Sequence, residues 1–517
     1  MRSLRTLACA SALALCLALP ASAQSLTVGL AAPPSSMDPH FATTGQNQQL
    51  AMVIYDRLVH LDENGQFVPG LATEWEISED RLTWTFTLRE GVVFHDGSPF
   101  GAQDVAFTFE RIPQVPNSPA PFTQRLAAIE AVETPDERTV VIRTGEPAPG
   151  LLTDLSTIYI VSHAIGEAAS ADFDQGRAAI GTGPYRMVSY SPGERLVIAR
   201  NDDYWGEVPD FEEITIRFLD NAASRVASLQ AGEVAFIDAV PPNDLERLAA
   251  MPQVEVVTAP SARMVYIGLD QGGDTTPQVR GLDENPFLDR RVREALSLAI
   301  NREAIVDRIQ FGSGAPAGQF APEGVFGHDP EIAAPAFDLD RARALLEEAG
   351  IGEGWGLTLH GPAGRYVNDT DVLLAVGQMW SRLGIDVEVE NVPANVYFGR
   401  ATAREFSAFL VAFGITTGES SLALRNVLAT YDEDRGWGSN NRFRYSSPDF
   451  DAALERALAA FDDDEREAAL REAARIAADD VALVPLYWEG NNWAVREGLS
   501  FVPSPDGRSL MTNLRRD

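Results

Sequence analysis

The 517-residue chain contains no lysine: all 41 basic residues are arginines, set against 75 acids and six histidines. This removes the P-loop lysine, the Ser-x-x-Lys nucleophile pair and the lysine Schiff base, each of which needs an amine that can shed its proton. Cysteine is almost as scarce. Cys9 and Cys16 are the only two, and both fall in the first 23 residues, so the chain from residue 24 onward has neither a disulfide nor a thiol nucleophile. Beyond that leader no apolar run reaches membrane-spanning length. Positive charge is in deficit: the formal net charge of −34 repels nucleic acid and anionic headgroups at long range and excludes nucleic-acid binding as the main role. The acid surplus needs no special partner, since surface Asp and Glu favour solubility.

Recognisable catalytic patterns are missing as well. There is no Gly-x-Ser-x-Gly elbow, no His-Glu-x-x-His, and no dinucleotide fingerprint in a strand-to-helix setting. Gly312-Ser313-Gly314-Ala315-Pro316 is glycine-rich, but Pro316 and the absence of a following lysine make it a plain loop. His40, His60, His95, His163, His328 and His360 are scattered, with no pair at helical ligand spacing; neither a metal nor a cofactor is expected. A secreted hydrolase using two carboxylates is the alternative from another class. Acids are abundant, but no spacing nominates a pair.

What is present begins with Arg2 and Arg5, an apolar run through Leu19, and Ala21-Ser22-Ala23 before Gln24, the pattern of a cleaved secretory signal. Cleavage there would leave 494 residues (517 less 23) and, with Arg2 and Arg5 gone, a formal charge of −36 instead of −34. That length suits two or three lobes with their own cores. Leu15 before Cys16 is bulkier than the small residue lipoprotein signals carry there, so no lipid anchor is expected.

Along the chain, Ser25 to Leu30 predicts a strand, followed by a proline-punctuated loop through Met37 that is neither helix nor central strand. Gln46 to Leu61 predicts a helix with Leu50, Val53, Ile54 and Leu58 on one face. The alternation Leu82, Trp84, Phe86, Leu88 against Thr83, Thr85, Thr87 predicts a strand with one buried face. Hairpins are expected at Glu74 to Arg89 and Ile129 to Arg143, with a helix at Gln103 to Arg111. Further on, strands are expected at Glu233 to Asp238, Arg263 to Asp270, Leu357 to His360, Ile385 to Glu390 and Val481 to Trp488. Helices are expected at Ser224 to Ala231, Asp340 to Ala349 with Gly350 as left-handed C-cap, and Asp371 to Leu383. Two acidic, alanine-rich helices follow from Pro448, split at Asp462-Asp463-Asp464. Helix-glycine-strand order argues for an α/β layer.

Three blocks resemble one family. They are Gly181-Thr182-Gly183-Pro184-Tyr185-Arg186 through Pro192-Gly193 to Tyr204-Trp205-Gly206; Leu71 to Asp80 with Leu82 to Arg89 and Phe94-His95-Asp96-Gly97-Ser98-Pro99-Phe100; and Arg291 to Arg302. Together and in this order they resemble the extracellular solute-binding proteins of peptide/nickel-type ABC importers, over nearly the whole mature length. The resemblance implies an α/β fold of the periplasmic binding protein type (type II, three-lobe), with two main lobes closing over a cleft by a hinge. It implies a signal peptide at 1–23, lobe I at 24–60 plus 179–265 plus 485–517, lobe II at 61–178, and lobe III at 266–484. It also implies a monomeric, non-enzymatic periplasmic receptor that captures a short peptide or amino-acid derivative for an inner-membrane ABC permease, metal chelates and sugars being alternative ligands.

For the ligand contacts the resemblance points first to Ala412 to Ser421. Peptide-binding members usually read Trp-x-x-Asp here, the carboxylate meeting the peptide's α-ammonium; the matching positions are Phe413 and Thr416. Threonine supplies no negative charge, and Glu419 is a candidate substitute, with Thr417 beside it. Arg365-Tyr366 falls where some members offer an arginine and an aromatic to the ligand carboxylate, a geometry in which two guanidinium N–H groups meet two oxygens. Met37, Tyr397, Trp437 and Asn440 complete the candidate set.

Overall fold

The computed structural model describes residues 25–62, 65–118, 120–415, 417–504 and 507–517; the leader and Thr416 lie outside them. Most of the strands belong to one twelve-stranded sheet. On one side of it Ser25–Leu30 runs parallel to Glu213–Phe218 and to Phe236–Ile237, and the hairpin Tyr185–Ser191/Arg195–Arg200 extends the edge. On the other side Ala408–Gly414 pairs with Val254–Leu269, then Gly356–Ala363 and Asp386–Pro393 follow in parallel. A separate four-stranded sheet holds Ala72–Ile77, Thr83–Leu88, Thr139–Thr144 and Ile129–Asp136 in that spatial order. The alternation is as expected: Trp84, Phe86 and Leu88 are buried, and the threonines between them half-buried. Helices Leu339–Glu348, Asp369–Ser381, Pro448–Ala459 and Asp463–Asp479 also lie close to their expected places.

Two long strands tie the sides together. Val254–Leu269 and Val484–Arg496 run antiparallel, Val254 to Pro260 pairing with Arg496 to Gly490 and Met264 to Ile267 with Trp488 to Val484. Between these stretches three residues, Ser261 to Arg263, stand opposite Glu489 alone. Such an unequal pairing bends the ladder and re-aims side chains. The hydrophobic cores divide at the same place: Val257 and Ala259 pack with residues of the first half, Ala262 and Met264 with Phe320, Phe409 and Leu424 of the second. The halves also meet where the Arg81 guanidinium lies 4.8 Å above the Phe461 ring and Trp84 lies 6.1 Å from it. The structure shifts and lengthens two expected strands: Arg263–Asp270 becomes Val254–Leu269, and Val481–Trp488 becomes Val484–Arg496. Glu233–Asp238 shrinks to the paired Phe236–Ile237.

The expected helix Gln46 to Leu61 is cut short. It spans Gly45–Ile54, and Val59–Leu61 instead pairs with Phe67–Pro69. The cause is the Gly181-Thr182-Gly183 turn, which packs against this helix end: Gly183 N–H donates to the Ile54 carbonyl at 3.0 Å, and Tyr55 is already extended. Just beyond, the buried Asp56 carboxylate accepts from Thr182 Oγ1 (2.9 Å), Tyr204 OH (3.2 Å) and Trp205 Nε1 (2.9 Å). These bonds explain the order of the motif, glycine turn first and aromatic closure last: both ends grip one carboxylate. A Cβ at Gly181 would run into the Ile54 carbonyl. Gly181→Ala is therefore expected to cost at least about 1–3 kcal/mol in thermal unfolding. Gly150→Ala, with open space around its Cβ position, serves as the neutral control.

Candidate functional site

The crossing of the two long strands also borders a polar cavity of 290 Å³. Its lining includes Gln49, Asp238, Gln310, Ser313, Glu489 and Asn492, and no basic side chain among the described residues. Asp238 follows the short strand Phe236–Ile237 and accepts the Ala31 N–H at 2.7 Å, joining the loop after the first strand to this wall. Arg225 approaches it only to 3.9 Å, because its N–H groups donate to the carbonyls of Leu219, Asp238 and Ala239. Burial, only partly offset by the Ala31 bond and Arg225, pushes the Asp238 carboxyl up to about 6. Ala239 adopts φ 45° on the cavity wall, a conformation an alanine keeps only where its surroundings over-determine it.

Glu489 comes from the opposite direction. It stands across from the three-residue stretch of the crossing, and its nearest cation is Arg263 Nη1 at 3.6 Å. Burial raises its pKa, while the charges of Arg263 and Arg365 act in the other direction. Gln310, 3% exposed, donates Nε2 to the Val367 carbonyl (3.0 Å) and Tyr487 OH (3.1 Å), leaving Oε1 without a donor among the described residues. By contrast, Asn492 and Ser313 satisfy each other at 2.8–3.0 Å.

A second, smaller space of 130 Å³ lies between Gln48, Met52 and Arg57 of the first half and Ala262, Ile415 and Thr417 of the second. Arg57 donates to the Ser156 carbonyl at 3.0 Å, and Arg508 to Gln48 Oε1 at 2.6 Å. A further cavity, of 420 Å³, lies within the second half; there the buried amide Gln319 is satisfied on both sides by the Asp329 backbone.

Of the expected contact residues among those described, only Thr417 lines one of these two spaces at the crossing. Tyr366 OH accepts the Ala412 N–H at 3.0 Å, Arg365 lies 5.4 Å from the Tyr366 ring centre, and the charge of Arg365 is felt by Glu489. Phe413 packs edge-on to Phe320, and Thr417 lines the smaller space. Thr416 lies outside the described residues.

Others are committed elsewhere. Glu419 is 3% exposed, and both its oxygens accept from Arg466 Nη2, at 2.7 and 2.8 Å, so the substitute carboxylate is already paired. Tyr397 is fully buried and donates its hydroxyl to the Leu410 carbonyl; Met37 belongs to the first-half core. Trp437 is buried under the Arg435 guanidinium at 3.7 Å, and Asn440 is half-buried in the neighbouring turn with its N–H on the Asn426 carbonyl. Sequence reasoning missed Asp238, Gln310 and Glu489. A lone acid in the run Val484–Trp493 was the one available signal, and the expected strand stopped one residue before it.

Two α/β halves with separate cores, joined by paired crossing strands and flanking a polar cleft, define a two-lobe solute-binding protein. The chain belongs to the bacterial extracellular solute-binding proteins, family 5, whose middle-region model matches residues 66–434. It is similar to a probable D,D-dipeptide-binding periplasmic protein of Escherichia coli strain K12, with 27% identity over 498 residues covering 93% of this chain and 92% of that one. It is also similar to di/tripeptide-binding protein 3 of Pseudomonas aeruginosa strain UCBPP-PA14, 29% identical over 481 residues, 88% of this chain and 87% of the relative. Among solved structures, a periplasmic murein tripeptide binding protein in its unliganded open form matches with a TM-score of 0.82 and 25% identity, over 96% of this chain and 98% of that one.

Proposed function

We propose that this protein is a periplasmic receptor that captures a short peptide or amino-acid derivative between its two halves and delivers it to an inner-membrane ABC permease. The observation that carries this reading is the polar, ligand-sized cavity set against the crossing strands. Names of relatives that bind di- and tripeptides support the ligand class. The proposed rigid bodies are 24–60 with 179–265 and 485–517, together with 61–178, moving against 266–484. Arg365 and Tyr366 are assigned to the ligand's carboxylate end.

The work is recognition and a shift of populations, with no bond made or broken. If the unliganded closed form is populated at about 1%, ligand must contribute about 2.7 kcal/mol to bring the two forms level. Micromolar binding releases about 8 kcal/mol, so closure leaves ample affinity. Native mass spectrometry of gently purified protein identifies any retained solute, and solution scattering with and without that solute follows closure. A smaller radius of gyration with a peptide or amino-acid derivative is the expected result. No compaction with any retained solute or with a di- and tripeptide panel would sink the reading.

A further inference from the structure

We infer that the carboxylates of Glu489 and Asp238 form the subsite for a protonated amine of the captured solute, in place of the carboxylate that Thr416 does not carry. This rests on the receptor reading above and adds which chemical group is recognised, and by which residues. Three observations converge on it. The substitute nearest in sequence, Glu419, is closed off in its ion pair with Arg466. The 290 Å³ cavity at the crossing presents two carboxylates and no cation of its own. On the same wall Gln310, almost wholly buried, keeps a carbonyl oxygen unmatched by any donor among the described residues.

The chemistry these groups share is that of an acceptor set. An ammonium brings three N–H donors and a positive charge, whereas a carboxylate or phosphate would meet two like charges and an acceptor oxygen. Each acid has one arginine nearby, but neither makes a hydrogen-bonded ion pair with it: Arg263 stays 3.6 Å from Glu489, and Arg225 stays 3.9 Å from Asp238 while bonded to carbonyls. The location also fits. Arg263, beside Glu489, is the register partner of Gly414, the last residue of the strand that leads to Ile415 and Thr416. Glu489 therefore reaches the cleft from the next strand but one, on the crossing instead of on the loop.

The test uses the native protein, Glu489→Gln and Asp238→Asn, each incubated with three pools and read by native mass spectrometry. The pools are dipeptides with free amino termini, the same dipeptides N-acetylated, and Nα-acetyl-lysyl dipeptides, which keep only a side-chain amine. Native protein is expected to retain amine-bearing species at least tenfold over the acetylated pool, and each variant is expected to lose that retention tenfold or more. Capture of the first pool assigns the subsite to an α-amine, and capture of the third to a side-chain amine. Variants that retain amines as native protein does, or native protein that takes acetylated dipeptides equally, overturn the subsite while leaving the peptide receptor standing. If native protein captures nothing from any pool, the peptide reading falls and the subsite with it. Unfolding midpoints of both variants, expected to match native protein within a few degrees, keep misfolding from mimicking lost recognition.

Discussion

Replacing Glu419 with alanine is expected to destabilise the protein by about 3–5 kcal/mol while leaving its ligand preference unchanged. Both partners of the Glu419–Arg466 bridge are buried, with side chains 4% and 7% exposed, and one guanidinium nitrogen serves both carboxylate oxygens. Removing the carboxylate strands a buried guanidinium whose Nε already lacks a partner among the described residues. That uncompensated charge, more than the loss of a favourable contact, sets the size of the effect. Glu419→Leu combined with Arg466→Met is expected to regain most of the loss, since an apolar pair of similar volume has no charge to desolvate. Urea unfolding of the single and double variants measures both. A ligand anchor would behave in the opposite way: binding would vanish and the unfolding midpoint would hold. That outcome would return Glu419 to the cleft and weaken the case for Glu489.

Asp38→Ala is expected to cost a similar 3–5 kcal/mol, for a related reason. The Asp38 carboxylate receives two N–H groups of Arg111, at 3.0 and 2.7 Å, the Ser170 hydroxyl at 2.7 Å and the His40 N–H at 3.0 Å. Burial works against the charged form, but the Arg111 bonds and charge outweigh it, so the pKa lies below 3.8. Because the folded value is depressed, this stabilisation is fully present above pH 3.8 and is lost as pH falls through the folded value. His40 completes the arrangement as a neutral imidazole. Its Nδ1 accepts from Arg111 and its Nε2 donates to the Tyr159 carbonyl, while burial and the Arg111 charge hold its pKa down to about 4. Without Asp38, Arg111 keeps its bond to His40 Nδ1, the face of Phe173 at 4.6 Å and a long bond to the Ala168 carbonyl, none of which carries a compensating negative charge. Thermal unfolding at neutral pH reads the loss. An unchanged midpoint would mean that water replaces the carboxylate and that this loop does not hold the helix Ala102–Arg111 in place.

Much of the fold was legible because its elements carry their own periodicity. Trp84, Phe86 and Leu88 alternate with threonines, and a strand with one buried face needs nothing more. The helix from Gly45 was readable at its start but not at its end, because what stops it is a glycine turn more than a hundred residues away in sequence docking on Ile54. The crossing strands were half legible: each passes from one core to the other, and only one stretch of each, Arg263 to Asp270 and Val481 to Trp488, was expected as strand.

The candidate site was less legible still. Arg365, Tyr366 and Phe413 were nominated because a family resemblance put them there. Glu419 was proposed on proximity, and a partner 47 residues later had already claimed it. The sequence by itself determined the class of protein, the absence of lysine chemistry, the acidic surplus and the local run of strands and helices, since these follow from composition and short-range pattern. Only the tertiary structure decided which carboxylates face the cleft. Whether an acid is free to meet a ligand depends on which distant arginine reaches it first, and that is settled when Val254–Leu269 and Val484–Arg496 pair and bring residues more than two hundred positions apart to one wall.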